Sequence, residues 1–485
     1  MSLKQKAIAG VKWTTVSMVA TTGIQFVTTV VLARLLAPAD FGLMTMMMVI
    51  MGFAGAFADM GISNAIIHRQ DATREQLSSL YWLTIFSGLV IFCIICLATP
   101  LVAKFYQEPR LSGLLHLTAL SFLITPFGQQ FQILLQKELN FNTLAKIEIF
   151  SAITNMFIAV GSALLGAGVY ALIFGGLASA IARSTALSKI GFKKWRPSLY
   201  FSRKDLRGYL SFGLYQMGER TINYLNLNID NLLIGSLLGA QSLGYYSMAH
   251  NIMLKPSSLI NPIITKVAFP VFAKVQDDNE RLKRGYLKVL QILSTINFPL
   301  MVGLGVTAPI AIPLILGEKW TPSIILVQIL SIVGLIRSTG NPVGSLLLAK
   351  GRADLGFKWN LGLTITQLPG IYIGAKVGGA AGVASAFAIL QAIYSVFNYL
   401  ILIRTLLGPC LRVYVTSMWP ALLASLLMGT VVYMVISLNL TDSRLQLLIA
   451  QVFTGVTIYT GCMLAFYKSQ VIEMVKFVIG AKTSF

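Results

Sequence analysis

Between Tyr209 and Leu238 the chain reads YLSFGLYQMGERTINYLNLNIDNLLIGSLL, and the fold follows from how this segment is understood. It is long enough and apolar enough on most faces to cross a bilayer as a helix. Yet Gln216, Glu219, Asn223, Asn226 and Asp230 recur at intervals of three, four, three and four, which places all five on one face, with Arg220 at its edge. A charge near the bilayer centre costs about 2.5–3.5 kcal/mol on insertion scales. Such a stripe must therefore meet water, protein or a polar ligand. The segment predicts a membrane protein with a hydrated interior.

Composition leads to the same class. Of 485 residues 56% are hydrophobic and 11% charged, where a soluble protein carries about a quarter charged residues. Mean hydropathy is +0.75. Apolar stretches of about 20 residues or more recur from 11–35 to 445–467, which predicts an all-α integral membrane protein of about fourteen transmembrane helices. The first stretch is too long for a signal-peptide core and precedes no small-residue cleavage site, so it reads as a retained helix.

The net charge of +21 has a topological explanation. With the N-terminus inside, about 27 of the 38 Lys and Arg fall in inward loops and about 5 in outward ones. The inward set includes Lys193, Lys194, Arg196, Arg203, Lys204 and Arg207. This bias predicts cytoplasmic termini and requires no nucleic-acid partner. Cys93 and Cys96 form a C-x-x-C pattern inside an apolar helix, where they read as buried packing thiols. His116 and His250 are isolated, and no metal-ligand spacing appears, so neither metal nor cofactor is expected.

The two halves resemble each other. Leu35–Gly42 (LLAPADFG) and Leu237–Gly244 (LLGAQSLG) each join two apolar stretches, at an offset of 202. Lys137 matches Lys350, and Gly168-Val169 matches Gly382-Val383, at offsets of 213 and 214. The order predicts a duplicated six-helix unit in parallel orientation: an N-lobe over 1–190, a basic linker over 191–208 and a C-lobe over 209–404. Helices over 413–467 and a tail over 468–485 lie outside the duplication. Transporters place substrate sites between such repeats.

Further polar faces occur in other stretches. The eighth carries Asn251, Lys255 and Ser258, and the tenth Arg337, Asn341 and Ser345. In the first half, Thr14, Ser17, Thr21, Gln25 and Thr28 share a face of the first stretch, and Glu148, Ser151 and Asn155 a face of the fifth. Asp59 ends the second stretch, and Gln129 and Gln130 follow Pro126 in the fourth. Many such groups serve only to join helices by hydrogen bonds. Asp59 and Glu148 read as interfacial, and Arg183 as undecided. Lys255 and Arg337 resist the bland account best, since each stands in mid-helix without an acidic neighbour in sequence. Pairing with Asp230 or Glu219 is one solution. A cationic cavity for a phosphate or pyrophosphate, whose planar oxygens suit Arg, is the other.

At these residues the chain resembles the Wzx-like polysaccharide flippases of the multidrug/oligosaccharidyl-lipid/polysaccharide exporter superfamily, and looks closest to the colanic acid exporter subgroup. The similar stretches include Gly10–Trp13, Leu32–Gly42, Gly128–Phe131 with Gln136–Leu139, and Ile222–Asn226. Leu259–Lys266, Phe269–Asp278, Gly317–Trp320 and Val333–Lys350 complete the set. The resemblance implies two six-helix lobes in a V around a central cavity, in the bacterial inner membrane. It implies a monomeric flippase for undecaprenyl-pyrophosphate-linked oligosaccharide, in a bilayer of membrane lipid and beside a polysaccharide polymerase and export complex. Within that picture Arg220, Lys255 and Arg337 are the candidates for contact with pyrophosphate or an acidic sugar. Gln216, Asn223, Asn226, Asn341, Gln129 and Gln130 would meet sugar hydroxyls, and Glu219 and Asp230 would couple an ion.

Two neighbouring readings stay open: a cation-coupled multidrug exporter, kept alive by Glu219 and Asp230, and a flippase for peptidoglycan lipid II. A membrane enzyme is disfavoured because the outward loops are too short to carry a catalytic site.

Overall fold

A computed structural model describes residues 3–58, 66, 73–437 and 443–468; side chains are described outside 3–8, 203–220, 222, 260, 262–263, 266–267, 341 and 353. Every element among the described residues is helical. In the first half these are α1 (Leu3–Leu35), α2 (Pro38–Ala58), α3 (Arg74–Tyr106), α4 (Leu111–Ala119), α5 (Ser121–Ile124), α6 (Pro126–Lys137), α7 (Phe141–Leu164) and α8 (Tyr170–Lys194). The long α9 (Arg203–Lys274) is followed by α10 (Asn279–Leu316), α11 (Ser323–Ala349), α12 (Ala353–Phe397), α13 (Arg404–Leu407), α14 (Leu411–Ser437) and α15 (Arg444–Phe466). Among the described residues ten helices are long and apolar enough to span a bilayer, or eleven with α4–α6 taken as one span bent by 46°. The bend falls where Pro126 opens α6, since its ring cannot accept the preceding turn's geometry.

Two of the long helices are interrupted. Gly239 in α9 has φ 79° and ψ 179°, a region open in practice only to glycine. In α12 the break falls at Gly378 and Gly379, and the two arms pack back on each other. Gly374 abuts Gly382, and the Thr366 and Tyr394 hydroxyls lie 2.8 Å apart. Without side chains at 374 and 382 the two backbones touch, which is how helices associate closely in lipid.

By its contacts the chain forms two compact units, Met1–Gly244 and Tyr245–Phe485. In the first, Tyr81, Phe131, Leu144 and Leu187 form a buried cluster. In the second, Phe272, Tyr286, Leu290, Leu346 and Leu402 do so. Large apolar side chains point outward along the spans, Leu97 at 79% exposure and Val377 at 83% among them. That is the pattern of helices solvated by hydrocarbon. The chain is a multi-pass membrane protein. Cys93 is exposed and Cys96 half-buried, so this pair lies toward the outer surface of α3 instead of the expected buried packing.

The two matched turns meet within the first unit. A Cβ built at Gly42 would overlap the Ala240 carbonyl oxygen, and one built at Gly244 would overlap that of Pro38. Positions 38 and 42 correspond to 240 and 244 at the offset of 202. The contact is therefore reciprocal: each copy's glycine takes the other copy's carbonyl. Self-complementarity of this kind is the mark of a two-fold relation.

Candidate functional site

The polar residues are taken unit by unit. In the first unit, Asn223 is exposed, Asn226 half-buried and Asp230 buried. Asp230 Oδ1 accepts a hydrogen bond from the Asn231 backbone N–H at 2.8 Å. Tyr224, between the candidate asparagines, donates its hydroxyl to the Met48 carbonyl of α2 at 2.8 Å, and its ring end fits where Gly52 has no side chain. Adjacent residues on a helix point about 100° apart. One side of this segment is thereby fastened to α2, while Asn223 stays accessible. The side chains of Gln216, Glu219 and Arg220 lie outside the described residues, although their backbone continues the same helix.

Gln130 is buried, and its amide nitrogen donates to the Leu77 carbonyl of α3 at 2.8 Å. That bond ties α6 to α3. Gln129 beside it is half-buried.

A polar cluster inside the first unit joins four helices. Ser17 of α1 donates to Glu148 Oε2 of α7 at 2.7 Å. Arg183 of α8 stands 3.8 Å from Glu148 Oε1 and donates to Gln132 Oε1 of α6 at 3.1 Å. Each charged side chain keeps about 40% of its surface exposed. Glu148, which reads from sequence as interfacial, is thus held within the helix packing with a hydroxyl and a guanidinium as partners. Its signal was present in two polar faces, on the first and fifth stretches, whose meeting no spacing rule announces.

In the second unit, Lys255 is exposed, and among the described residues no carboxylate lies within 4.0 Å of it. Arg337 is half-buried, its guanidinium 6.0 Å from the centre of the Phe387 ring. An aromatic face attracts a cation through its quadrupole. The side chain of Asn341 lies outside the described residues. His250 is buried against Tyr246, as a packing histidine would be.

Sequence reasoning passed over Asn297, one of the fully buried polar side chains of this unit. It is fully buried, donates to Asn261 Oδ1 at 3.1 Å and accepts from Ser257 Oγ at 3.3 Å. One asparagine in the apolar run Ile292–Met301 was the available signal. Among the described residues no group of His, Cys, Asp or Glu is placed to hold a metal ion.

Comparison with known proteins decides what kind of membrane protein this is. Residues 31–325 match the model of the family described as polysaccharide biosynthesis protein. The chain belongs to the polysaccharide biosynthesis protein family. It is 38% identical over 438 residues to the lipopolysaccharide biosynthesis protein WzxC of Escherichia coli K12, covering 89% of each chain. It is 36% identical to the teichuronic acid biosynthesis protein TuaB of Bacillus subtilis 168, again covering 89% of each. Among solved structures, lipid II flippase MurJ in an inward closed conformation superposes with a TM-score of 0.75 at 15% identity, covering 96% of this chain and all of that one. At that identity the likeness establishes the fold.

Within this polysaccharide biosynthesis family the chain is Wzx-like, close to the colanic acid exporters, as its motifs imply. The family match takes in Gln129, Gln130, the whole stripe from Gln216 to Asp230, and Lys255. Arg337 and Asn341 lie beyond its C-terminal limit.

Proposed function

We propose that this protein flips undecaprenyl-pyrophosphate-linked oligosaccharide repeat units from the cytoplasmic to the periplasmic leaflet of a bacterial inner membrane. It is a transporter, as its relatives' names and its Wzx-like motifs suggest, and no bond is made or broken. The chain crosses the bilayer fourteen times with both termini in the cytoplasm: six helices in each repeat and two more after them. The cycle is alternating access, in which head group and sugars cross inside the protein and the polyprenyl tail stays in lipid.

The observation that carries this reading is the pair of cations, Lys255 and Arg337, on long helices of a polysaccharide biosynthesis protein, Arg337 on one apolar enough to span a bilayer. Lys255 is exposed, and the Arg337 guanidinium lies 6.0 Å from the centre of the Phe387 ring. Arg220 joins them as a third pyrophosphate contact. Gln216, Asn223, Asn226, Asn341 and Gln129 offer donors and acceptors to sugar hydroxyls; Gln130, with its amide given to the Leu77 carbonyl, ties α6 to α3. Glu219 and Asp230 are where a proton or sodium ion would bias one state over the other. Relatives named for lipopolysaccharide and teichuronic acid biosynthesis favour a glycan cargo over a cationic drug.

The test is binding of farnesyl pyrophosphate, a short polyprenyl pyrophosphate, to purified protein. Lys255→Ala and Arg337→Ala are each expected to weaken it about tenfold, as loss of one charge-assisted contact would. Unchanged affinity in both variants would remove the cationic site from the account.

A further inference from the structure

At one end of the first unit, the start of α3 and the close of α8 frame a cleft of about 440 Å³. Four cations line it: Arg74, Lys193, Lys194 and Arg196. The linker after α8 is strapped across this end. Ser198 donates its N–H and its hydroxyl to Ser78 Oγ, at 3.1 Å each, and accepts the Trp82 indole N–H at its carbonyl at 2.8 Å. The Ser202 N–H donates to Ser79 Oγ at 3.1 Å. The chain is thus held where the cations converge into a concavity.

Lys193 and Lys194 have an ordinary reason to be there, since they complement the carbonyl end of α8. Lys194 is further paired with Glu138. Arg74 has no such reason. It occupies the first turn of α3, behind the Thr73 capping box, where a helix dipole disfavours a cation. Against the four cations stand Glu75 and Glu138, leaving two positive charges in excess. Among the described residues no carboxylate approaches within 4.0 Å of Arg74, Lys193 or Arg196. The arrangement calls for an anion.

Phe192 is a wall of this cleft and also of a second one, about 640 Å³, that runs along α8. Leu123, Phe127 and Ile181 give the second cleft an apolar lining. Its two serines are already spent on backbone: Ser184 donates to the Ile124 carbonyl at 2.8 Å and Ser188 to that of Phe127 at 3.0 Å. Phe127 and Ile181 are 46% and 50% exposed on a face that lipid must cover. A basic head cleft joined at Phe192 to an apolar groove has the chemistry of an amphiphile with a phosphate head and an acyl tail.

We propose that this paired cleft is a binding site for one anionic phospholipid of the cytoplasmic leaflet. Its phosphate would lie among Arg74, Lys193 and Arg196, and one acyl chain in the groove along α8. Basic pockets between membrane helices on that side are suited to such headgroups. The bound phosphate would relieve the repulsion among the cations and keep the linker strapped to α3. The leaflet rests on the topology proposed above; the binding chemistry does not.

The test uses the full-length protein in nanodiscs holding equal palmitoyl-oleoyl phosphatidylglycerol and phosphatidylcholine, with co-released lipid measured by native mass spectrometry. Wild type is expected to retain phosphatidylglycerol about tenfold over phosphatidylcholine, the preference a few interfacial cations confer. Two variants should lose that preference: the exposed-charge triple Arg74→Gln/Lys193→Gln/Arg196→Gln, and Thr185→Trp, which fills the groove. Equal retention of the two lipids by wild type, or full preference in the charge triple, would overturn the proposal. If 10 mM inorganic phosphate displaced the lipid while Thr185→Trp bound normally, the site would be one for free phosphate and the proposal would fall. A Leu199→Cys variant, whose position is 94% exposed, reports the leaflet through labelling by an impermeant maleimide. Labelling only from the periplasmic face would overturn the leaflet and the proposed topology, and leave the lipid-retention result standing separately.

Discussion

Glu148 and Asn297 pose the same physical problem with different solutions. Each is a polar side chain within helices that otherwise meet lipid or apolar neighbours, and a group left without a partner there costs about 1–3 kcal/mol. Glu148 takes a hydroxyl and a guanidinium while remaining partly exposed, so its ion pair is worth less than a sealed one would be. Arg183→Ala is expected to lower stability by about 1 kcal/mol, seen as a small fall in detergent melting temperature. Glu148→Gln, which keeps an acceptor for Ser17, should fall less. Asn297 is fully enclosed, and Asn297→Leu leaves Asn261 Oδ1 without its donor. A loss of about 1–3 kcal/mol is expected, with Asn261→Leu/Asn297→Leu recovering part of it. A double variant no better than the single would contradict the pairing. Both residues were legible as polar, and neither partner was. Spacing along one helix fixes a face, whereas a partner depends on which helix lies opposite.

At the level of elements, the matched turns LLAPADFG and LLGAQSLG lie against each other, Gly42 and Gly244 each admitting the other turn's backbone. Gly42→Ala and Gly244→Ala should each destabilise the protein by about 1–3 kcal/mol or more, the cost of forcing a methyl against a carbonyl with no flexible neighbour to yield. Equal effects from the two are expected from the reciprocity; a neutral result at either would contradict it. Gly239→Ala tests a different cause, a backbone conformation closed to alanine, and is expected to cost about 1–3 kcal/mol in the same melting assay. The break at Gly239 was also readable, since LLGAQSLG joins two apolar stretches, whereas the break at Gly378 and Gly379 carried no such motif. The 46° bend at Pro126 was marked only by the proline itself. The basic cleft was the least legible. Its lysines and arginines were visible as topological charge, but nothing in their order shows a linker returning to Ser78, Ser79 and Trp82.

For the whole molecule, composition and charge placement were enough for the class, and motif resemblance for the family, which the match over residues 31–325 bears out. The candidate cations follow from chemistry more than from pattern: Lys255 and Arg337 stood out because a cation in a membrane helix requires a reason. Coupling through Glu219 and Asp230 has a definite readout, since a proton- or sodium-coupled cycle must respond to the corresponding gradient. The most direct measurement is leaflet-resolved transport of undecaprenyl-pyrophosphate-linked oligosaccharide in proteoliposomes containing the wild-type protein. The account predicts protein-dependent appearance of the glycan in the opposite leaflet, reduced at least about tenfold in Lys255→Ala/Arg337→Ala. Glycan remaining in its starting leaflet at the protein-free rate would contradict it.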